Sequence, residues 1–272
     1  MKENKKTLQT IVTASAVLLG AATAPALHAE HPFRGADSPT DWQLDIRYIL
    51  SERSLNNSRT TTFDVNSILK YWPQNPNWLF AGISAPYRYI EAGARDADGF
   101  GDISVSLGPR GVFKGSSGSF HYIFAGGLRL PTGDSEMKPA LGTGDVDYVA
   151  NLGMTYFTPD KRFGVDAAVV YTFAGDNRET RADVISYGAV IGAKPTKESP
   201  LRFFTGLVGT YKFGGKEDGF NRFSWRTGLR FTPHNTKRWH LEGWFDKDVE
   251  AKGLPVGNSG ALVLRVNLGK GK

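Results

Sequence analysis

Between residues 101 and 173, apolar residues recur at every second position in four successive segments. In the last of these segments, Val165, Val169 and Phe173 alternate with polar residues such as Asp166 and Thr172. A period of two is that of a β-strand, whose successive side chains point to opposite faces of the sheet. Each segment therefore has one apolar face and one face of polar or small residues, and the stretch predicts four neighbouring strands.

The same alternation continues toward both ends of the chain and predicts twelve strands in one domain. The predicted strands cover residues 42–48, 63–71, 79–89, 103–107, 120–130, 146–156, 163–173, 185–191, 201–213, 223–231, 239–245 and 262–268. Longer polar loops and short turns connect them, mostly in alternation. The longer loops are predicted at residues 51–60, 91–99, 132–144, 175–182, 214–219 and 247–259.

Strand length and ring content favour a membrane barrel over a soluble sandwich. The mean hydropathy of −0.32 suits a soluble protein, but alternating strands hide a membrane barrel from an average of this kind. Long segments with ring-rich apolar faces are typical of tilted membrane strands. We predict an all-β fold, a single antiparallel transmembrane β-barrel of about 12 strands over residues 41–272. The first and last strands should pair, because hydrocarbon cannot satisfy the backbone of an open edge.

Aromatic residues near the ends of the segments are expected at the two membrane interfaces, where amphipathic rings are favoured. The alternative is that these rings fill the core of a soluble sandwich. The expected interfacial residues are Trp42, Tyr71, Trp72, Tyr89, Tyr156, Phe173, Phe213, Phe231 and Trp239.

The N-terminus reads as a targeting segment. Residues 1–29 have a basic start, an apolar run and small residues near a cleavage point, which predicts a secretory signal peptide. A membrane anchor helix is the alternative, but the uninterrupted apolar run is shorter than a span of roughly 20 residues. Residues 30–40 are expected to form a periplasmic leader, and the mature chain is expected in a bacterial outer membrane, with outer-membrane lipid as a partner.

The polar face of the strands is expected to line the barrel interior, and it is rich in charge. Arg222, Arg226 and Arg230 would form one inward column on a single strand, and such a column would attract anionic solutes. The alternative is that these arginines pair with interior carboxylates and fill the barrel. The candidate lumen-facing residues are Arg47, Arg88, Arg129, Arg222, Arg226, Arg230, Arg265, Asp64, Asp147, Asp166 and Glu242.

No residue pattern predicts catalysis, a cofactor or a metal site. A barrel-embedded lipid hydrolase would need a histidine near a serine on the lipid-facing wall, whereas His121 and His240 are expected to face inward. The glycine-rich acidic stretches at residues 96–102 and 142–145 could hold calcium, but turn geometry at the rim explains them better. We expect no catalytic residue, no cofactor and no nucleic-acid partner, and the sequence leaves the oligomeric state open.

Three short motifs carry a family resemblance: residues 99–103 (GFGDI), 128–134 (LRLPTGD) and 142–145 (GTGD). With these motifs, the chain from residue 41 onward resembles a family of outer-membrane β-barrels associated with the meta-cleavage pathway of phenol degradation. The resemblance implies a barrel transporter for small aromatic or other hydrophobic compounds.

Taken together, these patterns predict an outer-membrane channel or transporter for the passive passage of small solutes. Aromatic, hydrophobic and anionic compounds are the candidate solutes. The first alternative is a closed structural or adhesion barrel that binds a partner through its outer loops. The second is the lipid hydrolase.

Overall fold

The computed structural model describes residues 42–55, 58–73, 78–175, 181–233 and 238–268. The predicted signal peptide at residues 1–29 and the predicted leader at residues 30–40 lie outside the described residues. Within the barrel region, parts of the predicted turns at 73–76 and 233–237 and of the predicted loop at 175–182 also lie outside the described residues.

The described chain is almost entirely β-strand. Its one helical element is the single 3-10 turn Gly215–Glu217. No helix among the described residues is long and apolar enough to cross a membrane. The strands are β1 (Trp42–Leu55), β2 (Ser58–Tyr71), β3 (Leu79–Ala92), β4 (Arg95–Phe100), β5 (Ile103–Gly115), β6 (Gly118–Leu130), β7 (Asp147–Phe157), β8 (Phe163–Phe173), β9 (Asp183–Ala193), β10 (Leu201–Phe213), β11 (Asn221–Phe231), β12 (Trp239–Lys252) and β13 (Val256–Leu268).

The strands pair antiparallel with their neighbours, and the sheet closes on itself. β1 pairs with β2 on one side and with β13 on the other, where the register runs from Trp42 opposite Leu268 to Ser54 opposite Val256. β3 pairs with both β2 and β5, and the order then follows the chain to β13. The ring therefore has twelve strands, with β4 as an extra strand beside β3. The predicted closed barrel is confirmed.

β4 continues the line of β5 after a break at Gly101 and Asp102. β5 pairs with residues 79–84 of β3, and β4 pairs with residues 87–92. Between the two ladders, the Gly101 amide donates to the Pro86 carbonyl at 2.9 Å. The break keeps Asp102 out of the ladder with β3, and its carboxylate is free to bind the loop between β6 and β7.

Three connections predicted as polar loops are largely strand. Paired strand occupies residues 51–55 and 58–60, residues 91–92 and 95–99, and residues 247–252 and 256–259. All three lie at one end of the barrel, which we call the loop end; the opposite end, which holds Trp42 and Leu268, is the terminal end. These extensions carry polar side chains on both faces, because backbone pairing needs no apolar face beyond the hydrocarbon. The apolar alternation therefore stops before the strands do.

The outer face of the barrel wall is apolar and ring-rich, with exposed side chains such as Phe124 and Ile191. Most of the predicted interfacial rings are exposed or half-buried near the strand ends, and Trp42 contacts Tyr71 with ring centroids 4.6 Å apart. The prediction for Trp72 is wrong, because this ring is buried against Phe80. Adjacent residues point to opposite faces, so Tyr71 and Trp72 cannot both face lipid.

The connection between β7 and β8 is a tight turn at the terminal end. Asp160 accepts hydrogen bonds from the Thr158 hydroxyl at 2.6 Å and from the Arg162 amide at 3.0 Å. These bonds stabilise the carboxylate, and the Thr158 hydroxyl contributes most to holding the pKa of Asp160 below its ordinary value. The short turn predicted at residues 159–162 is confirmed.

The closing seam can be tested by cross-linking, because Ile46 on β1 lies opposite Leu264 on β13. Residues directly opposite in an antiparallel pair have Cα atoms about 4.5–5.5 Å apart, within the range of a disulfide. We expect Ile46→Cys with Leu264→Cys to form a disulfide on oxidation, seen as a mobility shift on a non-reducing gel. The chain has no cysteine of its own.

Ile46→Cys with Leu229→Cys is the matched control, since Leu229 is also exposed but lies on β11. Equal cross-linking in the two pairs, or none in the first, would contradict closure through β1 and β13.

Candidate functional site

All eleven predicted lumen-facing residues lie on strands, in the opposite phase to the exposed rings. Nine of them are buried, and Arg226 and Arg230 are partly buried. The wall is closed, so side chains that are buried in this phase point into the barrel interior. Whether they line a path for solutes stays a prediction.

The most densely charged group surrounds Asp45 near the terminal end. Arg265 binds the two Asp45 oxygens through Nε and Nη2, at 2.7 and 2.8 Å. Lys70 Nζ lies 2.6 Å from Oδ2, and Arg47 lies 3.5 Å from the same oxygen. Asp45, Lys70 and Arg47 are almost completely buried. One carboxylate therefore holds cations from β1, β2 and β13 at a single point of the interior.

The arginine column on β11 is paired with acids on β12. Arg230 lies 2.7 Å from Glu242, and Arg226 binds Asp246 in a bidentate pair at 2.7 and 2.8 Å. Arg222 is different, because its nearest acid, Asp248, is 3.9 Å away. Two of the three positive charges are therefore neutralised in place, as the alternative interpretation expected.

The other predicted residues form smaller groups. Arg88 lies 3.5 Å from Asp64 on the neighbouring strand. Arg129 lies 3.2 Å from Asp147, which also binds Arg181 in a bidentate pair at 2.7 and 2.8 Å. In the third group, Asp166 accepts a hydrogen bond from the Thr155 hydroxyl at 2.6 Å. Each carboxylate in these groups therefore has a donor nearby.

The loop at residues 131–146 is fastened to the barrel through Asp102. The Asp102 carboxylate accepts bonds from the Gly133 amide at 3.1 Å and from the Thr143 amide and hydroxyl, both at 2.8 Å. Leu141 packs in a buried cluster with Ile90 and Ala97. The acidic stretch thus anchors the loop, and among the described residues no group of three or more acids or histidines is placed to hold a metal ion.

Part of the interior is apolar, which the sequence analysis did not predict. Trp72 and Phe80 form a buried cluster with Ile123 and Ala125 near the terminal end. Further buried apolar residues lie on β7, β8 and β9, namely Val149, Ala168, Val170 and Val190. Apolar side chains therefore face the interior along β6–β9, beside the charged groups of Arg129, Asp147 and Asp166 on the same strands.

His121 and His240, the two histidines in the described part of the chain, do not form a lipid-hydrolase site. His121 Nε2 lies 3.2 Å from Ser119 Oγ, and His240 Nδ1 lies 3.0 Å from Thr232 Oγ1. The His121 ring is buried, and both histidines lie near the terminal end in the inward phase. A lipid hydrolase would need its histidine on the lipid-facing wall, and neither of these two histidines lies there.

Some charged residues that contribute to the interior were missed because they fell in predicted loops. Arg53 and Asp248 lie on the unexpected extensions of β1 and β12, and Arg181 lies just before β9. Hydrophobic periodicity gives no signal at these positions. The one available signal is the charge pattern of β12, where acids at 242, 246 and 250 match the arginines of β11 in spacing.

Comparisons with known proteins agree with the fold and with the family resemblance. A family model described as "Putative MetA-pathway of phenol degradation" matches residues 40–264, which confirms the family resemblance. No curated protein matches the chain. The COG4313 outer membrane channel from Pseudomonas putida F1 is similar to the chain with a TM-score of 0.65 and 15% identity, over 84% of this chain and 95% of that one. That likeness shows the shared barrel fold.

Two other solved structures are less similar, a porin and a channel by their names. NanC porin has a TM-score of 0.48 and 12% identity, over 83% of this chain and 100% of that one. The CymD monoaromatic hydrocarbon channel has a TM-score of 0.49 and 9% identity, over 93% of this chain and 94% of that one.

The Asp45 group predicts a large effect on stability. In Asp45→Asn, the buried cations Arg265, Lys70 and Arg47 lose the charge that neutralises them, and breaking a buried pair costs about 3–5 kcal/mol. We expect a loss of that size in the free energy of unfolding, measured by urea unfolding in detergent micelles.

Glu52→Gln is the matched control, because Glu52 pairs with Arg59 at 2.7 Å on the exposed loop end. Exposed pairs contribute about 0–1 kcal/mol. If both substitutions cost the same, the Asp45 group does not stabilise the barrel through buried charge pairing.

Proposed function

The chain belongs to the phenol-degradation family whose model covers residues 40–264, and from this premise we propose that it is an outer-membrane channel for the passive passage of small solutes. The main observation in support is a closed twelve-stranded wall with an apolar outer face and charged side chains inside. A wall of this kind satisfies its backbone hydrogen bonds within the sheet and can sit in lipid. The exposed rings near the strand ends support outer-membrane lipid as the partner of the outer face.

The mixture of apolar and charged side chains in the interior supports a particular class of solute. Ile123, Val149 and Val170 are apolar residues buried inside the wall, whereas β11 and β12 carry charge and hydrogen-bond donors on their inward face. A small solute with an apolar body and a polar or anionic group is complementary to an interior of this mixed kind. This class includes the aromatic and anionic compounds expected from the sequence.

A closed structural barrel is the second candidate, and the ion pairing of Arg226 and Arg230 favours it. Side chains that pair across the interior can fill a barrel of modest size. The two candidates differ in one measurable property, since a filled barrel passes no current.

We expect stepwise currents when the purified protein is inserted into planar lipid bilayers. The ion preference of the currents should depend on the interior pair of Arg230 and Glu242, because replacing either residue removes one charge of the pair. Glu242→Gln should shift the reversal potential in a salt gradient toward anions. Arg230→Gln should shift it toward cations, and the wild type should lie between the two.

Glu250→Gln is the matched control, because Glu250 is exposed on the same strand. A shift in Glu250→Gln equal to that in Glu242→Gln would mean that the charge acts from the surface. Protein that inserts correctly and remains silent would favour the closed structural barrel.

A further inference from the structure

Two buried arginines at the loop end have no hydrogen-bond partner among the described residues. Arg53 on β1 and Arg222 on β11 are only 8% and 7% exposed. Arg53 Nε and Arg222 Nη1 are shielded from solvent without an acceptor. The nearest acid to both is Asp248 on β12, 3.9 Å from each Nε, which is beyond hydrogen-bond distance. Burying a guanidinium without acceptors is costly, so an acceptor is expected at this point.

Asp248 cannot neutralise both arginines. Its Oδ1 accepts a hydrogen bond from the Ser224 hydroxyl at 2.6 Å, and its Oδ2 accepts one from the Gly257 amide at 2.9 Å. The next acid along β12, Asp246, is held by Arg226. One carboxylate therefore stands between two guanidiniums. The other acid that acts on Arg53, Asp64, lies 3.5 Å from Arg88, so the group has a surplus of one positive charge.

A β-bulge creates this surplus. Arg230 lies opposite Glu242, Arg226 opposite Asp246 and Ser224 opposite Asp248. Continued in the same register, the ladder would place Arg222 opposite Glu250. The register shifts between Phe223 and Ser224 instead, so that Arg222 lies opposite Ala251 and Glu250 lies opposite Phe223 in the outward phase.

The extra residue of the bulge is Val249, which has no partner on β11. Bulges often re-aim side chains beside functional sites. Here the bulge turns the acid that would complete the arginine column away from the interior.

We propose that Arg53 and Arg222 together bind the carboxylate of a small monoanionic solute at the loop end of the barrel interior. A guanidinium presents planar N–H donors that match a carboxylate, and the surplus of one positive charge matches one negative charge. Leu254 and Pro255, in the adjoining connection between β12 and β13, are buried and apolar. They favour a carboxylate attached to an apolar body. This proposal rests on the proposed function in one respect, namely that small solutes enter the barrel. Binding itself can be measured without passage through the barrel.

Binding is tested by isothermal titration calorimetry on the full-length protein in detergent, with sodium benzoate as the probe and benzyl alcohol as its neutral counterpart. Benzoate should bind with one site per chain, and benzyl alcohol should not compete for it. Arg53→Gln and Arg222→Gln should each weaken benzoate binding about tenfold or more, because a hydrogen bond to a charged group is lost. Arg59→Gln, an exposed arginine at the same end, should leave the binding unchanged.

A second variant supplies an internal competitor. Ala251 lies opposite Arg222, so the side chain in Ala251→Glu can place its own carboxylate on the Arg222 guanidinium. Benzoate affinity should fall at least tenfold further in Ala251→Glu than in the uncharged, equally large Ala251→Gln.

Thermal unfolding separates this site from a purely structural pair. Removing the surplus charge in Arg53→Gln should leave the unfolding midpoint unchanged or raised when no benzoate is present, and benzoate should raise the midpoint of the wild type more than that of the variant. No saturable benzoate binding to the wild type would overturn the proposal, as would benzoate binding in both arginine variants that is as tight as in the wild type. Binding without bilayer currents would keep the site and reject the channel, and currents without binding would do the reverse.

Discussion

The pairing of β1 with β13 is the constraint from which the rest of the structure follows. In hydrocarbon an unpaired strand edge leaves N–H and C=O groups unsatisfied, at several kcal/mol each. Closure removes both edges, but it also fixes which face of every strand points inward. The seam is reinforced from inside, since Gln43 binds Asn267 at 2.9 Å and Asp45 binds Arg265, and both pairs are directly opposite in register. A slip of one residue would turn these polar groups toward lipid.

The apolar alternation made the barrel predictable. Where a strand crosses the apolar layer, each outward position must carry an apolar side chain. The strand count, the closure and the inward phase of residues such as Arg129 and Asp166 could therefore be inferred from the sequence. Beyond that layer, outward positions no longer need apolar side chains. The extensions that hold Arg53 and Asp248 were therefore predicted as loops, although their backbone pairing continues.

The interior was less predictable than the wall because two of its properties are not periodic. Trp72 was placed among the lipid-facing rings on the strength of its residue type, whereas its phase puts it inside with Phe80. The pairing of charges depends on the register between neighbouring strands, which cannot be inferred from a single sequence. The arginine column was visible in the sequence. The sequence did not show that Arg226 has an acid opposite it whereas Arg222 has none.

The contrast along this column shows how one inserted residue divides the chemistry of a strand. Arginines at every fourth position of β11 face β12, where acids at 242, 246 and 250 keep the same spacing. Uniform pairing would neutralise the whole column and make it a structural filler. Val249 interrupts the register after two pairs, so the last arginine meets Ala251 while Glu250 turns outward. An interior that must neutralise its buried charges thereby keeps one donor group at the loop end without a matching acid.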